Sequence, residues 1–218
     1  MTEDPNLVQR FRSAMRGAGV TAGDADLDAA AADLIGRWSE PHRAYHDVTH
    51  LTAVLEVIDR FSDLAPHSDR VRVAAWLHDA IYDPRAPGDA NERDSADLAE
   101  RLLTRLGAPA EVAGEVARLV RLTAGHATGE DDPDGELLCD ADLAVLAGDQ
   151  DRYARYRAAI RREYAHVSDD DFRAGRARVL SALLELPSIY RLAPLRAVWE
   201  ERARANLARE LSAGDHRR

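Results

Sequence analysis

The sequence predicts an all-α fold, and three observations point there. Apolar residues recur at i, i+3 and i+4 along most of the chain, proline and glycine interrupt that rhythm at intervals, and no stretch alternates apolar with polar residues as a half-buried strand would. A first helix spans 7–15 and is stopped by Gly17 and Gly19. Asp24 suits the start of a second, which runs to Trp38. Pro41 disfavours helix at the residue before it, so 39–42 is a break. A long helix is expected over 45–64, with Val48, Leu51, Val54, Leu55 and Ile58 as its apolar stripe and Pro66 beyond its end. The next helix, 69–82, is followed by a Pro-, Gly- and Asp-rich loop over 83–90. Helices over 91–106 and from Pro109 to about 123 come next, with Gly107 suited to the C-cap between them. The segment 129–135 reads as an acidic surface loop and 137–146 as a short buried helix. A helix over 152–164 follows. Ser168 with Asp171 resembles a capping box opening a helix that Pro187 stops after 186. A last helix covers about 195–211. No internal repeat or low-complexity linker divides the chain, so one compact domain over 1–218 is expected, its core in 38–165 and its C-terminal helices in 168–211 packed on it.

Composition narrows the function classes. The chain has 218 residues, 45% of them hydrophobic, and a formal net charge of -10, which argues against nucleic acid held on a basic surface. A small anionic substrate stays open, because local arginines or a metal supply positive charge where it is needed. All 29 basic residues are arginine, which removes Schiff-base lysine chemistry and the lysine of a phosphate-binding loop. The single cysteine, Cys139, excludes an internal disulfide and a cysteine-rich zinc site. It is read as a small buried hydrophobe rather than a nucleophile. No apolar run approaches the length of a membrane span, and the acidic N-terminus has no apolar stretch behind it, so a cytoplasmic location is expected.

The residues that carry chemistry centre on the adjacent pair His78-Asp79, which closes an apolar helical run. Burying either side chain without a partner costs about 2 kcal/mol or more, and a divalent metal satisfies both. His46 and His50 lie four apart and would project from one face of the predicted helix. Asp140 and Asp142 sit inside the apolar segment with Leu137, Leu138, Leu143, Val145 and Leu146, where a metal is a better reason for two acids than a solvated face.

Taken together, these residues resemble the HD superfamily of metal-dependent phosphohydrolases, whose signature is His, then His-Asp, then Asp on successive helices. The likeness extends to Arg43-Ala-Tyr-His-Asp-Val-Thr-His50, to Trp76-Leu-His-Asp-Ala-Ile-Tyr-Asp83, and to Asn91-Glu92 with Ser95-Ala96. It continues through Thr123-Ala-Gly-His126, Asp140-Ala-Asp-Leu143, Tyr153-Ala-Arg-Tyr-Arg-Ala-Ala-Ile-Arg-Arg-Glu-Tyr164 and Ala203-Arg-Ala-Asn-Leu207. The resemblance implies a single HD-domain helical bundle. It places the metal ligands on His50, His78, Asp79 and Asp142, with Asp140 as the fallback ligand or as a group orienting one. His126 is the one histidine between the His-Asp pair and the late aspartates, which leaves a second metal under-supplied.

The chemistry implied is hydrolysis of a phosphate ester or anhydride of a small molecule such as a nucleotide. One divalent ion (Mn, Fe, Co, Ni or Zn, with Mg also open) would activate a water. His46, Asp83 and Glu92 are the candidates for handling protons. Arg43, His126 and Arg161 are the candidates for holding substrate, the arginines because guanidinium suits bidentate contact with phosphate. Glu92 also reads as ordinary acidic charge in a first helical turn. A helical sensor that binds metal or nucleotide without turnover is the alternative from another class. A plain helical bundle, with the His-Asp pair satisfied by arginine or backbone, is a third. The apolar positions of the last helix serve either the core or a homodimer face.

Overall fold

The computed structural model describes residues 5–215. Among them are ten α-helices and two short 3-10 turns, and no strand. Contacts divide the chain into two compact units, Met1–Ala141 and Asp142–Arg218, a boundary that falls at the last residue of one helix.

The first unit is built around α4 (Ser68–Leu77), which packs against α1 (Pro5–Gly17), α3 (Val48–Arg60), α5 (Ala90–Arg105) and α6 (Ala110–Leu122). Val71 and every residue from Val73 to Leu77 are fully buried. The second half of α4, apolar on all sides, belongs in the middle of a core, not on its edge. α2 (Asp24–Trp38) packs on α1, and its terminal Trp38 donates its indole N–H to the carbonyl of Trp76 at 3.0 Å. Phe11 of α1 meets Trp76 edge-on, with ring centroids 5.1 Å apart. α5 and α6 form a helical hairpin turned by Gly107, whose φ of +74° suits glycine. α7 (Pro133–Asp142) closes this unit.

Several ends differ from the expected ones, each for a local reason. The helix expected over 45–64 begins only at Val48, because Asp47 is its N-cap and accepts from the backbone N–H groups of Thr49 and His50. It ends at Arg60, and Ser62–Leu64 is a 3-10 turn. α4 stops at Leu77, not at 82, and the backbone turns through His78, Asp79 and Ala80. α7 begins at Pro133, inside the segment expected to be an acidic surface loop, and Asp134 and Gly135 are buried. The end of the short helix expected over 137–146 is a 3-10 turn, Leu143–Ala147.

The second unit holds α8 (Gln150–Glu163), α9 (Asp169–Glu185) and α10 (Ala193–Asp215). α10 packs on α9 and on the Leu143–Ala147 turn, where Asn206 donates to the carbonyls of Leu146 and Gly148 at 2.9 Å each. Ser168 caps α9 as expected, accepting from the N–H of Asp171. Arg176 and Glu210 are bonded to each other and to Tyr156 and Tyr153 respectively. Burial opposes the charge on Glu210, yet Arg176 outweighs it and holds the carboxyl below its ordinary range.

Candidate metal centre

Two helix ends and one helix start bring the site together. His78 follows the last residue of α4 and keeps right-handed helical geometry (φ −62°, ψ −37°). Its ring Nδ1 lies 2.8 Å from the carbonyl oxygen of Ala75. A carbonyl only accepts, so Nδ1 carries the hydrogen and Nε2 is the ring atom left to bind. That Nε2 lies 3.3 Å from Nε2 of His50, in the first turn of α3, and 3.2 Å from Oδ2 of Asp79. The same Asp79 oxygen is 3.9 Å from His50 Nε2. Asp142, at the C-terminus of α7, completes the group: one of its carboxylate oxygens and a ring nitrogen from each of His50 and His78 all lie within 4.8 Å of one another.

These atoms are nearly dry. His50 is 5% exposed, His78 1% and Asp79 8%. Imidazole lone pairs and carboxylate oxygens repel one another at such distances unless something positive stands among them. A proton relieves one contact, whereas a divalent ion relieves all of them. Two imidazoles with carboxylates also form a donor set that first-row divalent metals accept. The hydrogen bond from His78 to Ala75 is the kind of outer contact that fixes a ligating ring in one orientation.

Aromatic rings wall the group. Trp38 stands 5.4 Å from the His78 ring and 6.2 Å from the His50 ring, and Tyr45 is 4.7 Å from His50 (centroid distances). His46 precedes α3 and so does not share a helical face with His50, contrary to the expected i, i+4 relation. It still stays close, with its ring 5.8 Å from His50 and 4.3 Å from Tyr82.

The remaining expected residues have varied surroundings. Arg43 is buried, and its guanidinium faces protein rather than open space. It donates to the carbonyls of His46 (2.9 Å), Asp79 (2.8 Å) and Ala80 (3.4 Å) and to the carboxylate of Glu40 (3.1 Å). It lies between the faces of Trp38 and Tyr82, 5.4 Å from each. Arg43 thus ties the turn after α4 to the loop before α3. Asp83 is exposed beyond the end of α4. It accepts from the N–H of Arg85, and its backbone is paired with the Asn91 side chain in both directions. Asp140 is fully buried in α7.

Glu92 lies in the first turn of α5, and its Oε2 is buried with no hydrogen-bond partner among the described residues. Burial pushes its carboxyl pKa up, and the charges of Asp79 and Asp89 push the same way against a backbone N–H and His126. His126 follows α6 with a φ of +51°. Arg161 belongs to the second unit. It donates to Asp169 and to the carbonyls of Tyr164 and Val167, and it lines a cavity of about 860 Å³ between α8, α9 and α10.

Sequence reasoning missed His42, whose Nε2 lies 2.7 Å from the Tyr82 carbonyl oxygen, and the pair His67–Asp134. Neither falls in a spacing that carries chemistry by itself. No helix among the described residues is long and apolar enough to cross a membrane. No family model, curated protein or solved structure matches the chain.

Proposed function

We propose that this chain is a metal-dependent phosphohydrolase of HD type, acting on a phosphate ester or anhydride of a small molecule. The observation that carries the reading is the convergence of His50, His78 and Asp142 in a buried group, with Asp79 against both imidazoles. A divalent ion held by these four residues would supply an activated water and polarise a phosphoryl oxygen. The chain's own residues would do the rest. Burial excludes bulk water from the imidazoles, and the Ala75 carbonyl holds His78 in one tautomer. Glu92 would keep a proton beyond the ordinary carboxylate range and could deliver it to a leaving oxygen. His46 stands beside His50 and Tyr82, where it can exchange a proton with a bound phosphate.

The test is metal content followed by phosphate release. The purified protein is stripped, reloaded in turn with Mn, Fe, Co, Ni, Zn or Mg, and offered nucleotides and sugar phosphates, with Asp79→Ala alongside. Metal-dependent release that disappears in the variant is the expected result. Stoichiometric metal without release from any phosphate would favour a sensor, and a folded protein that takes up no metal would overturn the reading.

A further inference from the structure

The acidic stretch before α7 does more than keep a loop in water. Asp132 accepts two hydrogen bonds from Arg118 of α6, at 2.7 and 2.9 Å, and a third from the N–H of Gly135 in the first turn of α7. Asp134 is buried and grips His67, the residue before α4, twice: Oδ1 takes the backbone N–H at 3.0 Å and Oδ2 faces ring Nδ1 at 2.8 Å. Two carboxylates thus fasten the start of α7, one to α6 and the other to the start of α4.

The far ends of the same helices meet as well. α4 and α7 are ten residues each, about 15 Å of helix. α4 leads from His67 to His78, and α7 leads from Asp134 to Asp142. His67 touches Asp134 at one end, and His78 and Asp142 share the metal-type group at the other. The two helices therefore run the same way, bonded at one end and converging to within 4.8 Å at the other. A slide or tilt of α7 at its start is passed along a stiff rod to Asp142.

We propose that the His67–Asp134 pair is a positioning device for the metal centre, holding α7 in the register that brings Asp142 to His50 and His78. This rests on the metal reading above, and the test separates the two. Co²⁺ is titrated into the full chain and followed by its visible absorption, whose intensity and band positions report coordination number and symmetry. Wild type, Asp134→Ala, Asp134→Asn, His67→Ala and the neighbouring loop variant Glu130→Gln are compared, with folding checked by circular dichroism. Asp134→Ala and His67→Ala should weaken Co²⁺ binding and change the spectrum. Asp134→Asn should recover most of the affinity, because an amide can still accept from the His67 N–H and donate to an unprotonated Nδ1. Glu130→Gln should match wild type.

If the carboxylate acted only as a distant negative charge, Asn and Ala would weaken binding equally with an unchanged spectrum, and the positioning role would be overturned. Equal binding by all variants would overturn it too. Wild type that is folded but shows no cobalt bands would instead sink the metal reading itself. Should Asp134→Ala fail to fold, His67→Ala carries the test, since it keeps the backbone N–H bond and removes only the ring.

Discussion

Replacing Arg43 by alanine should cost far more stability than removing an ordinary arginine. Its side chain is 0% exposed, and its donors serve three backbone carbonyls and Glu40. Each buried carbonyl left without a donor costs about 1 kcal/mol or more, and breaking a buried charged contact about 3–5 kcal/mol in total. The Glu40 end is 39% exposed and is discounted accordingly. Loss of contact with the Trp38 and Tyr82 faces adds about 1 kcal/mol. A working figure of about 4 kcal/mol corresponds to a melting point lowered by roughly 8–16 °C for a chain of this size. Arg43→Lys keeps the charge but not the fork, and should recover less than half of the loss. The assay is thermal and urea unfolding of metal-free protein, with phosphate turnover measured on the same preparations after metal is restored. Metal-free Arg43→Ala melting within about 2 °C of wild type, with KM raised once metal is restored, would refute Arg43 as a brace and favour a substrate clamp.

Other outcomes follow from the charged groups. Glu92→Gln should raise melting at neutral pH while lowering turnover, since it removes a carboxylate from a site that disfavours its charge. Because its folded pKa is raised, the cost in wild type is absent below the ordinary glutamate range, grows as pH rises, and is complete above the raised value. Melting curves of both proteins from pH 4 to pH 8 should therefore diverge upward with pH, and parallel curves would contradict the assignment. Arg118 holds Glu115 and Asp132 below their ordinary ranges, so their contribution is present above those ranges and lost as pH falls through the lowered folded values. Arg118→Ala should accordingly flatten the acid limb of the stability curve, as read by urea midpoints at successive pH values.

How far the sequence could be read depended on the range of the interaction. Helix rhythm is local, and ten helices stand close to where apolar spacing and Pro/Gly breaks put them. His78-Asp79 announced itself because two polar residues close an apolar run, and Asp140 and Asp142 did so because they interrupt another; the preference for Asp142 came from the family resemblance. What failed to show was set by partners far along the chain. The hydrogen bonds of Arg43 to the carbonyls of Asp79 and Ala80, 36 and 37 residues on, have no local signal in the sequence. Asp134 sits in a run of acids that reads as solvated loop, and only the fold supplies His67, 67 residues earlier. His46 was misplaced for a local reason that was nonetheless present: Asp47 is a good N-cap, and α3 begins after it.

The tryptophan nearest the imidazoles gives the molecule an optical reporter of its own. Trp38 is fully buried, hydrogen-bonded through its indole N–H, and in ring contact range of both His50 and His78. An indole so held emits towards the blue and has no water to quench it. Any paramagnetic ion those imidazoles take up becomes its neighbour and drains its excited state, whereas zinc, with a closed shell, leaves it bright. Occupancy of the centre can thus be followed by fluorescence in unlabelled protein, and the identity of the ion sorted by whether the light dims.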